Sequence, residues 1–177
     1  MSGFIPEITT TVSVRVNADA LENGISVINS HGWFDEIIED LKQKKSQLED
    51  LQDPVAETIS QNLSEYQRQI ISMKHYRSGM MANSVDVEKD GDGVYLVGNT
   101  AMSVDGFPYP LAIETGRRAV TPINAKYLRW WNESGEIVFS KYSKAVNADP
   151  FVQPSIDNTS EDVEQLITEY IDTILGD

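Results

Sequence analysis

The chain lacks the residues on which several kinds of catalytic and metal site depend. Its 177 residues include no cysteine and two histidines, His31 and His75. Without cysteine there can be no disulfide, no thiol nucleophile and no cysteine-ligated metal. Neither histidine lies at a metal-ligand spacing from a second ligand, which disfavours a zinc site and a Ser-His-Asp triad. We therefore expect no catalytic residue, no metal and no cofactor.

Long apolar runs and nucleotide-binding motifs are missing as well. The longest apolar runs, such as residues 94–97, are far shorter than the ~20 residues of a membrane-spanning helix. The first residues contain no basic segment followed by an apolar one, so we expect no secretory signal. There is no GxGxxG or P-loop lysine motif. A composition that is 40% hydrophobic and 24% charged indicates a folded chain with a hydrophobic core.

Basic residues are scarce relative to acidic ones. The chain has 14 Lys and Arg and 28 Asp and Glu, so its net charge is −14. Such an acidic protein gains little from neutralising phosphates, and we expect neither sequence-specific DNA binding nor DNA condensation. Residues 114–144 differ, because six bases and three acids give them a charge of +3 and leave −17 for the remainder. This pattern fits an ordinary solvated surface, or a basic patch of one copy that meets an acidic patch of the next.

The hydrophobic periodicity of the first half predicts one strand and two helices. Residues 8–16 alternate β-branched and polar side chains, as an amphipathic strand does. Residues 33–51 carry a helical apolar stripe that stops before Asp53-Pro54. The same dipeptide begins a long second helix, with Asp53 as its cap and Pro54 in its first turn. The predicted buried stripe of that helix is Val55, Ile59, Leu63, Tyr66, Ile70 and Met73.

The second half contains two hairpins and ends in a helix. Hairpins are predicted over residues 85–97 and 127–139, with a loop between them. The last helix is expected to start at Asn158 or Thr159. Helices grouped apart from hairpins indicate an α+β fold, with a small antiparallel β-sheet packed against two or three α-helices. We predict an N-terminal strand and helical extension over residues 1–53 and an α+β domain over residues 54–177.

Two polar segments could be read as catalytic or metal-binding. The segment that starts at Asp90, DGDG, begins like a calcium loop but lacks the later ligands and fits a hairpin turn. Glu114 with Arg117 and Arg118 could serve phosphoryl or glycosyl chemistry, yet no nucleophile–base pair accompanies it. Glu114 is more simply an ion-pair partner of one of these arginines, or of a neighbouring copy.

Two adjacent tryptophans, Trp130 and Trp131, lie on a predicted strand. Neighbouring side chains of a strand point to opposite faces, so both cannot enter one core. We expect one of them to pack inward. The other either faces a partner surface, where tryptophan is a favoured anchor, or is covered by a helix of the same chain.

Three separated segments resemble the signature of one protein family. Residues 75–87, HYRSGMMANSVDV, are similar to its pattern P-x-x-T-G-x-L-x-x-S-I-x-V. Residues 109–118, YPLAIETGRR, are similar to Y-A-x-x-x-E-x-G-T-R, and residues 148–155, ADPFVQPS, to x-x-P-F-L-x-P-A. The residues that match in the last two patterns are Tyr109, Glu114, Gly116, Pro150, Phe151 and Pro154. The family is the tail-completion, or head–tail joining, proteins of long-tailed double-stranded DNA viruses.

The resemblance covers roughly residues 55–177 and implies a virion structural protein, not an enzyme. It implies a small antiparallel sheet packed on helices, and a ring, commonly hexameric, in the neck between the head connector and the tail tube. The implied partners are further copies of the chain, the head-connector protein and the tail-tube or tail-terminator protein. Double-stranded DNA would pass through the lumen without specific binding, and no membrane is involved. The protein would be assembled in the host cytoplasm and reside in the virion.

The residues leave other functions open. One alternative is a tail terminator that caps the tail tube; others are a metal-dependent hydrolase or nuclease with scattered acids, and a monomeric binding module of the host. An acidic lumen would repel DNA and keep it from adhering to the wall, which agrees with the joining role. For that role the predicted interface residues are Glu114, Thr115, Gly116, Arg117, Arg118, Trp130, Trp131, Pro150, Phe151 and Pro154.

Overall fold

The computed structural model describes residues 3–17, 35–75, 79–103, 106–131 and 136–175. After a 3-10 turn at Pro6–Ile8, the helices and strands in chain order are β1 (Thr10–Ser13), α1 (Asp35–Asp50), α2 (Gln52–His75), α3 (Met80–Asn83), β2 (Val85–Gly91), β3 (Val94–Asn99), α4 (Tyr109–Thr115), β4 (Leu128–Trp131), β5 (Ile137–Ser140) and α5 (Val152–Leu175). Long helices beside small sheets confirm the predicted α+β fold. None of the helices in the described ranges is long and apolar enough to cross a membrane.

The strands form two small sheets. One has three strands in the order β1-β3-β2, and the other consists of β4 and β5. Both predicted hairpins are confirmed, and Asp92-Gly93 form the turn between β2 and β3. Strands β4 and β5 are antiparallel, with Leu128 opposite Ser140 and Trp131 opposite Ile137. The turn predicted over residues 132–135 lies outside the described residues.

The chain divides into two compact units, each built from separate stretches of sequence. Unit 1 comprises Met1–Thr10, Ser64–Asp86 and Gly98–Ile156. Unit 2 comprises Thr11–Leu63, Val87–Val97 and Asp157–Asp177. The proposed division into domains at residues 53 and 54 stays a prediction.

Each unit has its own set of buried residues. In unit 1 the fully or nearly fully buried apolar residues are Ile5, Ile8, Ile70, Ile71, Met81, Ala82, Val85, Ala101 and Phe151. In unit 2 they are Ile38, Val55, Ala56, Leu63, Tyr95 and Val97. The buried amide of Asn99, in unit 1, donates to the carbonyl of Met81 at 2.8 Å and accepts from the N–H of Ala101 at 2.9 Å. These bonds satisfy the amide, which would otherwise cost about 1–3 kcal/mol on burial.

Two predicted elements differ in extent. The strand predicted over residues 8–16 is confined to Thr10–Ser13, because Pro6 starts a 3-10 turn that includes Ile8. Met73, predicted to be buried, is 77% exposed, whereas Ile71 is 1% exposed. The buried face near the C-terminal end of α2 therefore contains Ile70 and Ile71 and excludes Met73. Residues 33 and 34, where the first helix was predicted to begin, lie outside the described residues.

The last helix and the loop between the hairpins also differ from the prediction. Helix α5 begins at Val152, well before the predicted start at Asn158 or Thr159. Pro154 is tolerated there because the first N–H groups of a helix have no intrahelical acceptor, so a missing one costs nothing. The segment predicted to be a loop contains α4, whose seven residues are too few to show a helical period.

In unit 2, Asp53 holds the turn of the β2–β3 hairpin. Its carboxylate accepts hydrogen bonds from Lys89 Nζ at 2.6 Å and from the N–H of Gly93 at 3.1 Å, and the Tyr95 hydroxyl donates at 3.4 Å. Asp53 was predicted to cap α2; instead it lies within the first turn, since α2 begins at Gln52. The Lys89 hydrogen bond, followed by that of Gly93, lowers the pKa of Asp53, and the same bond raises the pKa of Lys89.

We expect this cluster to contribute to acid sensitivity. Because the pKa of Asp53 is lower in the folded than in the unfolded chain, its stabilising contribution is present above the unfolded pKa of about 4. That contribution is lost as pH falls below that value, through the folded pKa. Asp53→Asn should therefore reduce the fall in stability below pH ~4, measured by urea unfolding across pH.

The matched control is Asp90→Asn, which removes an exposed aspartate from β2 of the same hairpin. The control should retain the pH dependence of the unaltered chain. Equal acid slopes for Asp53→Asn and the unaltered chain would show that Asp53 does not contribute. Because both Asp53 and Lys89 are partly exposed, at 31% and 47%, solvent screening keeps the effect modest.

Candidate functional site

Residues 109–118 and 148–155, which are far apart in the sequence, meet in unit 1. The N–H of Asp149 donates to the carbonyl of Ile113 at 2.9 Å, and Arg117 and Val146 exchange two backbone hydrogen bonds of 2.9 Å. We call the contact between residues 113–117 and 146–152 the α4–α5 junction. It joins the end of α4 to the residues that precede and begin α5.

Glu114 is the central side chain of the junction. Its Oε2 accepts hydrogen bonds from the N–H groups of Phe151 at 2.8 Å and Val152 at 3.2 Å. These are the first amides of α5, which lack acceptors within the helix and lie at the positive end of its dipole. A carboxylate is therefore well matched to this position. Glu114 is the N-terminal cap of α5, supplied from a different helix.

This arrangement changes the interpretation of the acid and the two arginines. Among the residues that the structure describes, no ion pair joins Glu114 to Arg117 or Arg118, so the predicted ion pair within the chain is wrong. Arg117 instead donates from its guanidinium to Ser143 Oγ at 2.6 Å. Arg118 is exposed. The two arginines thus have different roles, one within the fold and one on the surface.

Gly116 allows the two segments to approach closely. It has φ 73° and ψ 170°, a backbone conformation that is essentially restricted to glycine. A Cβ at this position would lie 2.8 Å from the backbone nitrogen of Ala148 and 2.9 Å from the carbonyl oxygen of Val146. Any other residue would therefore be strained by its own backbone and would collide with the facing segment.

Beyond the junction the two segments continue as a paired ribbon. Val120 and Ser143 exchange backbone hydrogen bonds of 2.9 and 2.8 Å, and β4 pairs with β5 farther along. We call residues 117–131 and 136–146 the ribbon. It exposes several large apolar or aromatic side chains to solvent, namely Val120, Ile123, Tyr127, Trp130, Ile137, Phe139, Tyr142 and Val146.

The ribbon is also basic. Arg118, Lys126, Arg129, Lys141 and Lys144 are all exposed. None of these five forms an ion pair with an acid among the described residues. Lys126 Nζ lies 5.6 Å from the centre of the Tyr127 ring, within cation–π range. The ribbon therefore presents exposed aromatic and basic groups together, in a chain whose net charge is −14.

The predicted interface residues differ in their surroundings. Glu114, Gly116, Arg117 and Phe151 contribute to the junction itself, and the Phe151 side chain is completely buried, which favours a core role over an exposed contact. Thr115, Arg118, Trp130 and Pro150 are exposed, and Pro154 is half-buried within α5. The side chain of Trp131 lies outside the described residues. The intersubunit roles of these residues stay predictions.

Several residues of this region were missed by the sequence interpretation. Ser143 and Val146, which secure the base of the ribbon, lie in a segment without a recognisable period. Phe139 is 62% exposed and Ile137 is 42% exposed, and the sequence interpretation had assigned neither of them a role. The helix start at Val152 could have been found from Pro154, since proline is common in the first turn of helices.

The contacts of Glu114 indicate a structural role for this side chain. Both amides that it contacts belong to the backbone, and no histidine, serine or lysine within the described part of the chain hydrogen-bonds to its carboxylate. In the described ranges, no group of three or more His, Cys, Asp or Glu side chains is arranged to hold a metal ion. The carboxylate can orient α5 and stabilise its first turn.

We expect loss of the Glu114 cap to destabilise the fold. Glu114→Ala should lower the free energy of unfolding by about 1–2 kcal/mol, the usual cost of removing a helix cap. Glu114→Gln should cost less, because the amide oxygen still accepts one hydrogen bond. Urea unfolding measures both. The control Glu88→Ala removes an exposed glutamate from β2 and should change stability by less than ~0.5 kcal/mol; an equal loss in control and Glu114→Ala would contradict the cap.

Gly116→Ala tests the close approach at the junction. Gly106 provides a matched control, because it also has a positive φ, 76°, but a Cβ there would meet nothing within 4 Å. Gly106→Ala should incur backbone strain alone, on the order of 1 kcal/mol. Gly116→Ala should cost roughly 1 kcal/mol more, since it adds the collision with residues 146–148. Equal losses of thermal stability would refute the close packing.

Comparison with known proteins assigns no family to the chain. No protein-family model matches it, and no curated protein or solved structure matches it significantly. The functional interpretation therefore depends on the geometry of the α4–α5 junction, on the surface of the ribbon and on the motif resemblance.

Proposed function

We propose that this chain is a virion structural protein of the neck of a long-tailed double-stranded DNA virus. In this role a ring of copies joins the head connector to the tail tube and lets DNA pass. Its partners are further copies of the chain, the head-connector protein and the tail-tube or tail-terminator protein. The protein is assembled in the host cytoplasm and stays in the virion.

The observation that carries this proposal is the meeting of two resemblance motifs at the α4–α5 junction. Glu114 and Gly116 come from one motif, and Phe151 comes from the other. Glu114 binds the Phe151 amide at 2.8 Å, and Gly116 lies against residues 146–148. Chance matches to short patterns have no reason to fall on residues that touch. Their contact supports a resemblance based on a shared fold.

The charge distribution supports the same role. A net charge of −14 makes retention of DNA unfavourable, which suits a passage through which a duplex must slide. The basic ribbon offers a local surface for acidic protein partners. The carboxylate of Glu114 is occupied by backbone amides, an arrangement that suits a structural part better than a hydrolase.

A joining assay tests the proposal. In the virus that encodes the chain, its loss should leave DNA-filled heads and separate tails, and addition of the purified protein should join them. Arg118→Glu should lower the yield of joined particles at least tenfold, because Arg118 is exposed and has no acidic partner among the described residues. Electron microscopy counts joined and separate particles.

Arg15→Glu, an equal charge change at another exposed arginine, is the control and should join normally. Formation of normal infectious particles without the protein would overturn the proposed function. Normal joining by Arg118→Glu would show that Arg118 does not contribute to contacts with the partner proteins, without overturning the proposed function.

A further inference from the structure

One face of the ribbon is exposed and apolar. In the register of β4 and β5, Phe139 lies opposite Arg129, and Ile137 is two residues from Phe139. Arg129, Ile137 and Phe139 therefore share a face. Phe139 is 62% exposed and Ile137 is 42% exposed. A two-stranded sheet with an uncovered apolar face is a typical site of association.

Helix α5 has an exposed apolar strip near acidic side chains, whereas the ribbon is basic. Glu164, Ile167 and Ile171 are spaced i, i+3 and i+7, so they line one side of the helix. Ile167 is 38% exposed and Ile171 is 37% exposed, and Glu164 is exposed. Asp172 follows directly. The helix contains six acids and no lysine or arginine, so every charged side chain near this apolar strip is acidic.

We propose that the Arg129–Ile137–Phe139 face of the ribbon docks on the Glu164–Ile167–Ile171 face of α5 in a second copy of this chain. The inference deepens the proposed function and rests on its self-association. Residues two apart on a strand are separated by ~6.6 Å, and residues four apart on a helix by ~6 Å along its axis. The two apolar pairs therefore match in length.

The charges around the two faces favour a second copy of this chain as the occupant. Arg129 lies opposite Phe139, and Lys141 follows the end of β5, so both cations border the apolar pair of the ribbon. On α5, Glu164 lies one turn from Ile167, and Asp172 is exposed on the adjoining side of the helix. Docking brings these four unlike charges together at the rim, where they set orientation and specificity. The acidic chain as a whole disfavours DNA or an anionic membrane as the occupant.

The two docking faces are different surfaces of the same chain. After one contact forms, each pair of copies still has one free ribbon and one free α5 face. Such a head-to-tail interface builds a ring when its rotation closes and a filament when it does not. The inference thus specifies the contact from which a ring would be built.

Reciprocal charge reversal tests the docking. One full-length variant carries Arg129→Glu and Lys141→Glu, and the other carries Glu164→Lys and Asp172→Lys. Each variant alone brings like charges together at the interface, so its self-association should weaken at least tenfold relative to the native chain. An equimolar mixture should recover association, because both kinds of contact between the two variants unite opposite charges. Sedimentation velocity and native mass spectrometry measure the oligomers.

The controls reproduce each net charge change on other exposed residues. Arg15→Glu with Lys42→Glu matches the first variant, and Glu88→Lys with Asp90→Lys matches the second. Both controls should associate like the native chain. Circular dichroism should show that all variants are folded, and Phe139→Ser should weaken association without any change of charge.

The outcomes separate the docking inference from the proposed function. Weak association of each variant with recovery in the mixture supports the docking. Native-like oligomers of both variants, or failure of the mixture to recover, overturn the docking alone, and head–tail joining still tests the function. A native chain that stays monomeric up to hundreds of micromolar, with and without heads and tails, overturns both.

Discussion

The carboxylate of Glu114 on the first amides of α5 is the interaction on which the organisation of unit 1 depends. A helix N-terminus needs acceptors for its free N–H groups, and here the acceptor comes from α4. These two hydrogen bonds hold the backbone of Phe151 at the start of α5, and the Phe151 side chain is completely buried. Gly116 then has to follow in a conformation that only glycine accepts readily, because the chain passes directly against residues 146–148. The ribbon begins directly beside this capped junction, where Arg117 pairs with Val146.

The junction and the ribbon differ in how their polar and apolar groups are satisfied. At the junction, polar groups are satisfied within the chain, since Glu114 binds amides and Arg117 binds Ser143. On the ribbon, several apolar and basic side chains are exposed, and among the described residues Arg118, Arg129, Lys141 and Lys144 form no ion pair. A junction with satisfied polar groups beside an exposed apolar and basic surface would suit a protein that acts by assembly. The proposed neck function draws on both parts, the motif residues for the fold and the ribbon for contacts.

Local pattern was enough for much of the fold. Alternation and an Asp-Gly turn predicted the hairpin of β2 and β3, and a helical stripe predicted α1 and α2. Predictions from local pattern were wrong where the structure of a few residues depends on contacts with distant parts of the chain. Met73 continues the apolar stripe of α2 yet is 77% exposed. Helix α4 is too short to leave a period, and the start of α5 is set by a cap contributed from another helix.

By itself, the sequence determined the α+β class, the excess of acid and the lack of cysteine-based chemistry, because these follow from composition and local periodicity. Through the motif resemblance it also singled out Glu114 and Gly116. Only the tertiary structure decided what the pair does. A carboxylate can pair with an arginine or accept hydrogen bonds from helix amides, depending on which donor lies within hydrogen-bond distance. For Glu114, the contact between residues 113–117 and 146–152 brings the helix amides within that distance. The exposure of Phe139 is likewise a property of its surroundings, which no local pattern encodes.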